Sequence, residues 1–114
     1  MVSINSFRIL ALSFPEAIEA AHFEKTSFRV NKKIFSTVSE KDKIAMVKLS
    51  VIDQSVFCDM SNGAMYPVQG GWGKQGATYI DLKKVKKKML MDALVISYCN
   101  VAPKKFLEMM VQKK

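Results

Sequence analysis

The chain has 114 residues, of which 49% are hydrophobic and 25% charged, and its formal net charge is +8. This length and composition predict a single globular domain over residues 1–114 and exclude a disordered segment, because so apolar a chain can bury a core. The positive charge favours an anionic partner, although a need for solubility also accounts for a basic surface.

The charge is unevenly distributed and consists mostly of lysine. Residues 58–114 carry ten basic and four acidic side chains, a balance of +6, whereas residues 1–57 carry eight and six, a balance of +2. Arg8 and Arg29 are the two arginines among eighteen basic residues. Because arginine reads base edges through paired hydrogen bonds and lysine acts as a point charge, this composition favours phosphate contacts over sequence recognition.

Neither apolar run in the sequence predicts a targeting or membrane segment. The run at residues 9–14 is shorter than the apolar region of a signal peptide, which has about 7–15 residues, and Glu16 follows it closely. The run at residues 89–96 contains Asp92 and is far short of the roughly 20 residues that span a bilayer. We therefore predict no membrane contact.

The two cysteines indicate a reducing compartment. Cys58 and Cys99 lie far apart in the chain and form no C-x-x-C motif. A small secreted domain usually carries more cysteines, because it depends on disulfides. The sequence thus predicts two free, buried thiols in a cytoplasmic protein, and a monomer is favoured.

The first half of the chain predicts one helix followed by strands. Apolar residues recur at three- and four-residue spacing over about residues 5–14, and Pro15 ends this helix. Residues 17–23 are ambiguous and fit a helical turn that leads into the first strand. Three strands are then predicted: residues 27–30 alternate as a strand should, residues 34–38 are rich in β-forming residues, and residues 44–51 follow a polar turn. The first two are joined by a tight turn at Asn31-Lys32-Lys33.

The second half predicts a short helix, two strands, a second long helix and a last turn or helix. Asp53 is expected to cap a short helix, which ends near Gly63. Two strands follow, at residues 65–68 and 77–81. Pro67 places the first of them at a sheet edge. Asp81 is expected to cap a second long helix to about residue 101, and after Pro103 a last turn or helix runs from Lys104 to about residue 112.

This order of elements predicts an α+β fold. We expect a single antiparallel sheet of about five strands packed against N-terminal and C-terminal helices. Parallel pairing would require a helical crossover between successive strands, and the connections in the first half are too short for one.

The segment Gly71-Trp72-Gly73-Lys74-Gln75-Gly76 matches the G-x-G-x-x-G spacing of dinucleotide-binding loops. In those loops a helix follows the glycines, because its N-terminus receives the pyrophosphate. Here the predicted strand at residues 77–81 follows instead. A Walker A loop is excluded as well, because Lys74 is followed by Gln75 rather than by Ser or Thr. We predict a connection between strands that binds no nucleotide, and no cofactor.

Several segments fit one family pattern in their order and spacing over nearly the whole chain. They are Phe14-Pro15-Glu16-Ala17, SFRVNKKIF at residues 27–35, Gly71-Trp72, Ser97-Tyr98 and Val101-Ala102-Pro103-Lys104. Together they resemble the MmcQ/YjbR family of small bacterial proteins. The resemblance implies a compact α+β domain related in shape to frataxin, with a double-wing motif, and DNA binding as the family's predicted function.

The chain departs from this pattern in two respects. Residues 73–76 are richer in glycine than the family's Gly-Trp pair leads us to expect. Frataxin binds iron through an acidic ridge, whereas this chain is basic with scattered acids, so the resemblance implies no metal site.

The densest concentration of charge is the lysine run at residues 83–88. Its five lysines are Lys83, Lys84, Lys86, Lys87 and Lys88. In the first turns of the predicted helix they would oppose the helix dipole. Lysines that served solubility alone would gain nothing from lying at the start of a helix, so their position there favours an anion-binding site. The alternative is a solvated charged face. We predict that this run carries most of any DNA affinity.

Two further groups of residues are candidates for nucleic-acid contact. Arg29, Lys32 and Lys33 lie at the predicted hairpin tip and form either a wing on a phosphate backbone or an ordinary polar turn. Trp72, with Tyr66 or Tyr79, either stacks on single-stranded bases or covers the edge of the core.

The sequence offers little for catalysis. His22 is the sole histidine, and no nucleophile motif accompanies it. The acids interpreted as caps and surface residues are Asp53, Asp59, Asp81 and Asp92. We therefore predict no catalytic residue and no metal ligand. The leading hypothesis is a DNA-binding protein that contacts the phosphate backbone non-specifically through lysines, and the alternative is a non-enzymatic module that binds a protein or a small ligand.

Overall fold

A computed structural model describes residues 1–112 of the chain. The fold is built around one antiparallel sheet. Its strands are β1 (Ile18–His22), β2 (Lys25–Val30), β3 (Lys33–Ser39), β4 (Ile44–Lys48), β5 (Met65–Pro67) and β6 (Ala77–Asp81). The helices of the chain are α1 (Ile4–Leu12), α2 (Val51–Met60), α3 (Gly71–Lys74), α4 (Lys87–Val101) and α5 (Lys104–Gln112). The strand order across the sheet is β1-β2-β3-β4-β6-β5.

The α+β prediction is confirmed, but the sheet has six strands rather than about five. The additional strand is β1, which comes from the ambiguous residues 17–23 and pairs with β2. Because β1 lies at the edge of the sheet, Ile18 and Ala21 are both exposed. The strand therefore lacks the apolar alternation that marks a half-buried strand. The predicted edge position of Pro67 in β5 is confirmed.

Serine side chains begin the first two helices. The Ser3 hydroxyl accepts a hydrogen bond from the Ser6 amide at 3.1 Å and caps α1. The Ser50 hydroxyl accepts from the Asp53 amide at 3.0 Å and caps α2. The predicted cap at Asp53 is therefore wrong, because Asp53 lies inside the first turn, where its carboxylate complements the helix dipole.

Helix α4 begins at Lys87 rather than at Asp81. Asp81 is the last residue of β6, and its carboxylate accepts a hydrogen bond from the Lys83 amide at 2.9 Å. An aspartate that bonds the backbone two residues on stabilises a turn in place of a helix start. In this turn the Val85 side chain is buried, so the turn is itself packed into the core.

The hairpin of β2 and β3 has the tight turn that the sequence predicts. Its two central residues are Asn31 and Lys32, with φ of 50° and 68°, and Lys33 already belongs to β3. Positive φ at both positions is the geometry of a type I′ turn, whose twist matches that of the flanking strands.

A β-bulge at Phe35 interrupts this hairpin. Phe28 pairs with Ser36, but the next residue, Arg29, pairs with Ile34. The extra residue, Phe35, packs edge-on against Tyr98 of α4, with ring centroids 5.4 Å apart. The bulge thus keeps Phe35 in the core and leaves Arg29 and Ile34 on the other face of the sheet.

Helices α1 and α4 cover one face of the sheet and form the core with it. Phe7 of α1 meets Phe28 of β2 at 5.5 Å between ring centroids. Tyr98 of α4 is fully buried and stacks on Phe14 at 4.9 Å. Its hydroxyl donates a hydrogen bond to the Pro15 carbonyl at 2.6 Å, so the segment after α1 is tied to the C-terminal part of α4.

Candidate nucleic-acid interface

The sheet face opposite α1 and α4 is only partly covered and carries a groove of about 640 Å³. On β4, Ala45 and Val47 are buried toward the helices, whereas the alternate residue Met46 is half-buried on the other face. Met46 pairs with Thr37 on one side and with Tyr79 on the other. This cross-strand row forms the floor of the groove.

Aromatic side chains line one side of the groove. Trp72 of α3 is 71% exposed and lines the groove, as does Tyr79 of β6. The rings of Tyr66 and Tyr79 lie 5.7 Å apart between centroids. Burial raises the pKa of Tyr66, with smaller contributions from Asp81 and Tyr79, so its hydroxyl is neutral at physiological pH. The Lys25 ammonium lies 5.8 Å from the Tyr79 ring centroid, within the range of a cation–π contact.

The glycine-rich segment is a connection between strands β5 and β6, as predicted, but it contains the one-turn helix α3, which the sequence did not predict. The amides of Lys74, Gln75 and Gly76 all donate to carbonyls within residues 70–73. These three amides are therefore unable to hold a phosphate. The geometry of residues 70–76 is therefore that of a folded turn, not of a dinucleotide-binding loop.

Two of the glycines allow close approach of the backbone. A Cβ atom on Gly73 would lie 1.6 Å from the Val68 carbonyl oxygen, and one on Gly76 would lie 1.8 Å from that of Leu49. The buried Gln54 amide of α2 donates to the carbonyls of Gly73 and Ala77, both at 2.9 Å. The backbone that carries Trp72 is therefore held in place on several sides.

A second recess, of about 360 Å³, is lined by four cationic side chains. They are Arg29, Lys32, Lys33 and Lys48. Within residues 1–112, no Asp or Glu lines this recess, and the single ion pair found is between Arg8 and Glu19 at 2.9 Å. The Arg29 Nε donates to the Ser27 hydroxyl at 3.0 Å, which orients its guanidinium within the sheet face.

The structure adds Lys48 to the hairpin-tip residues, and the sequence did not predict it there. The Lys48 amide donates to the Ser97 hydroxyl at 2.7 Å, and its carbonyl accepts from the Asn100 side chain at 2.9 Å. Helix α4 thus holds the end of β4 beside the hairpin tip. The alternation of Ile44, Met46 and Lys48 along β4 was the signal that could have found it, because it places all three on one face.

The recess and the groove form one surface, since Ile34 and Lys48 line both. Of the predicted site residues, Arg29, Lys32, Lys33 and Trp72 therefore lie on a continuous surface. We call it the hairpin–groove surface. Tyr79, a predicted stacking partner of Trp72, also lines its groove, whereas His22, Lys25 and Gln75 line it without having been predicted as binding residues.

The lysine run lies elsewhere. The Leu82 amide donates to the Lys43 carbonyl, so the run begins beside the turn between β3 and β4. Asn100 and Val101, which line the cationic recess, are at the opposite end of α4. At 1.5 Å per residue, the helix separates the two groups by about 20 Å. Only Lys87 and Lys88 lie in the helix, after Lys86 at its N-cap, so the predicted placement of all five in the first turns is wrong.

Replacing Lys86, Lys87 and Lys88 with glutamine is expected to raise stability by about 1 kcal/mol at low salt, because these cations meet the positive end of α4 without an acidic residue in its first turn. Thermal melting measures the effect as a rise of a few degrees that shrinks as salt increases. Lys83→Gln, in the turn before the helix, should leave the melting temperature unchanged. Equal melting of the triple variant and the wild type at low salt would contradict this account.

The remaining titratable groups form no metal or nucleophile cluster in the described part of the chain. Among residues 1–112, no three His, Cys, Asp or Glu side chains lie close enough together to hold a metal ion. Cys58 is half-buried and Cys99 is exposed, so the prediction that both thiols are buried is wrong. Partial desolvation still raises the pKa of both thiols, and Asp59 adds to the effect at Cys58. Neither thiol is therefore an activated nucleophile. None of the helices described is both long enough and apolar enough to cross a bilayer.

Comparisons with known proteins support the fold. No protein-family model and no curated protein matches the chain. The chain is similar in structure to the Deinococcus radiodurans protein DR2400, a DUF419 domain, with a TM-score of 0.77 and 16% sequence identity. The match covers 92% of this chain and 82% of that one. DUF419 is related to the MmcQ/YjbR type of fold, so the likeness supports the expected fold alone.

Proposed function

We propose that this protein is a non-enzymatic, MmcQ/YjbR-type protein that binds the phosphate backbone of DNA through the cationic end of the hairpin–groove surface. The observation that carries the proposal is the grouping of Arg29, Lys32, Lys33 and Lys48 around one recess with no acidic lining among the described residues. Like charges repel across such a recess, and a bound polyanion relieves that repulsion.

The conformation of Lys32 supports the same function. Its φ of 68° lies in the left-handed region, where a side chain costs about 1 kcal/mol and glycine is favoured at this turn position. A lysine at that position holds a positive charge at the tip of the hairpin at a conformational cost. Anion binding accounts for a lysine at position 32, where the turn geometry favours glycine.

The arrangement of the cations favours a polymer over a single anion. Lys48 lies in both the recess and the groove, and Lys25 lies further along the groove. Positive charge therefore extends across the sheet face instead of ending at one point. All of these cations except Arg29 are lysines, which lack a planar fork, so contact to successive phosphates is expected to be largely indifferent to base sequence.

The test compares two variants that each remove four positive charges. Arg29, Lys32, Lys33 and Lys48 are replaced by glutamine in the first variant, and Lys83, Lys84, Lys87 and Lys88 in the second. Binding to random duplex DNA is measured by fluorescence anisotropy between about 50 and 200 mM salt. The first variant should bind more weakly, and its log-affinity against log-salt slope should flatten by about 0.9 for each phosphate that it no longer neutralises. The second variant should resemble the wild type.

Three results bear on the proposal directly. Absence of DNA binding by the wild-type chain would overturn it. A larger loss in the second variant would move the site to the lysine run, as the sequence alone suggested. Lys32→Gly controls for folding, because it removes one charge while relaxing the turn, so weaker binding by this variant cannot be ascribed to unfolding.

The size of the groove favours a second candidate function. At about 640 Å³ it falls within the range of small-ligand sites, and its floor is largely apolar. A small-ligand protein would show no DNA affinity and would melt at a higher temperature in the presence of its ligand. Thermal melting against a panel of small anions and apolar compounds tests this alternative.

A further inference from the structure

Trp72 is presented to solvent on a rigid support. Its side chain is 71% exposed, whereas the backbone around it is fixed by the hydrogen bonds from Gln54 and by the close approach of Gly73 and Gly76 to neighbouring carbonyls. A large exposed aromatic ring gains little from folding, because most of its apolar surface stays in water. An exposed indole ring on a fixed backbone is suited to stacking against a planar group of a ligand.

The groove beside Trp72 continues this flat surface. Thr37, Met46 and Tyr79 lie side by side on three neighbouring strands, and Tyr66 packs against Tyr79. Strands are about 4.8 Å apart, so the row is about 10 Å wide. Met46 and Tyr79 are half-buried, whereas Thr37 is buried, so the accessible part of the row is apolar and aromatic and suits planar groups.

Positive charges flank this apolar floor. Lys25 and Lys48 both line the groove, and no acidic residue among residues 1–112 does. Lys48 also belongs to the recess that holds Arg29 and the hairpin lysines. A ligand that fits has planar apolar groups on one side and a run of negative charges beside them, which is the chemistry of a nucleic-acid strand whose bases are unpaired.

We propose that the groove binds the bases of single-stranded nucleic acid, which stack on Trp72 and Tyr79 while the adjoining phosphates contact Lys25, Lys48 and the hairpin tip. The proposal rests on the proposed function, since the same cations hold the backbone, and it adds a preference for single strands. In a duplex the base faces are stacked inside the helix, so only the cations can engage it. Stacking on aromatic side chains is tolerant of base identity.

The experiment uses the intrinsic fluorescence of Trp72, which is the single tryptophan of the chain and so reports this site alone. A single-stranded oligo-dT should quench it, whereas a duplex of equal length should bind with little quenching. Trp72→Ala and Tyr79→Ala should each weaken single-strand binding, followed by anisotropy, about 5- to 150-fold and change duplex binding much less.

Matched variants separate stacking from folding and from charge. Ile52→Ala removes another exposed apolar side chain, 77% exposed on α2, and should leave both affinities unchanged. Trp72→Phe keeps a ring and should restore most of the single-strand affinity that Trp72→Ala removes. Circular dichroism melting confirms that each variant is folded.

The outcomes distinguish this inference from the proposed function. If both strand forms bind, and neither Trp72→Ala nor Tyr79→Ala changes single-strand affinity, the backbone function stands and the stacking site is overturned. If neither form binds the wild type, both proposals fail. If a fatty acid quenches Trp72 and no oligonucleotide does, the groove is a small-ligand site and the stacking proposal is likewise overturned.

Discussion

Gly76→Ala is expected to destabilise the fold by about 3 kcal/mol or more, which would lower the melting temperature by over about 10 °C. Gly76 has a φ of +112°, a conformation that residues with a side chain rarely adopt. An added Cβ would also lie 1.8 Å from the Leu49 carbonyl oxygen, so the backbone at the end of β4 would have to move. That backbone leads into the Ser50 cap of α2 and faces the groove.

Gly63→Ala provides the matched control. Gly63 also has a positive φ, +89°, but no atom lies within 4 Å of the position of an added Cβ. This variant carries the conformational cost alone, about 1 kcal/mol. Urea unfolding at equilibrium measures both free energies by linear extrapolation. Equal losses in the two variants would show that the approach of Gly76 to Leu49 is not a tight contact.

Tyr98→Ala is expected to cost about 3–5 kcal/mol of unfolding free energy, the range found when a large core aromatic is truncated. Tyr98 is fully buried between Phe14 and Phe35, and its removal leaves a cavity where α4 meets the sheet. Burial raises the pKa of its phenol, so the hydroxyl stays protonated and donates to the Pro15 carbonyl. Chemical denaturation followed by circular dichroism measures the loss.

Tyr98→Phe separates the hydrogen bond from the packing. The ring remains, but the Pro15 carbonyl loses its partner in a buried position, at a cost of about 1–3 kcal/mol. The expected order of stability is therefore wild type, Tyr98→Phe, Tyr98→Ala. A Tyr98→Phe variant as stable as the wild type would mean that the Pro15 carbonyl gains another partner.

These core contacts matter for the proposed function because α4 packs on the sheet face opposite the groove and supports the hairpin–groove surface. Ser97 precedes Tyr98, and its hydroxyl bonds both the Lys48 amide and the Phe35 carbonyl at the bulge. A shift of α4 would therefore move the residues that place Lys48 beside Arg29. We expect destabilising variants at Tyr98 to be poor probes of binding, and the exposed residues of the surface to be good ones.

Local features of this protein could be predicted from the sequence, because neighbouring residues determine them. The turn at Asn31 and Lys32 joins two adjacent strands through two residues, so its chemistry and its geometry lie in the same short segment. The strand after Gly76 could likewise be predicted from its own residues. The antiparallel α+β class followed from the short connections, which leave no room for crossovers.

Local signals were insufficient where two structures compete for one residue. Asp81 is suited to cap either a helix or a turn, and the pairing of Ile44 with Asp81 keeps it in β6 while Val85 is buried behind it. The edge strand β1 has no buried face to impose an apolar period, so its residues resembled a turn. In both cases the decision came from partners distant in the sequence.

Only the tertiary structure assembled the candidate site. Lys48, Trp72 and Tyr79 are separated from the hairpin tip by up to about fifty residues, and nothing in their own segments places them beside that tip. The bulge at Phe35 directs Arg29 and Ile34 to the open face, the strand order sets Met46 beside Tyr79, and α4 holds Lys48 at the tip. Such contacts depend on strand pairing and packing between distant segments, which the periodicity of a single segment does not encode.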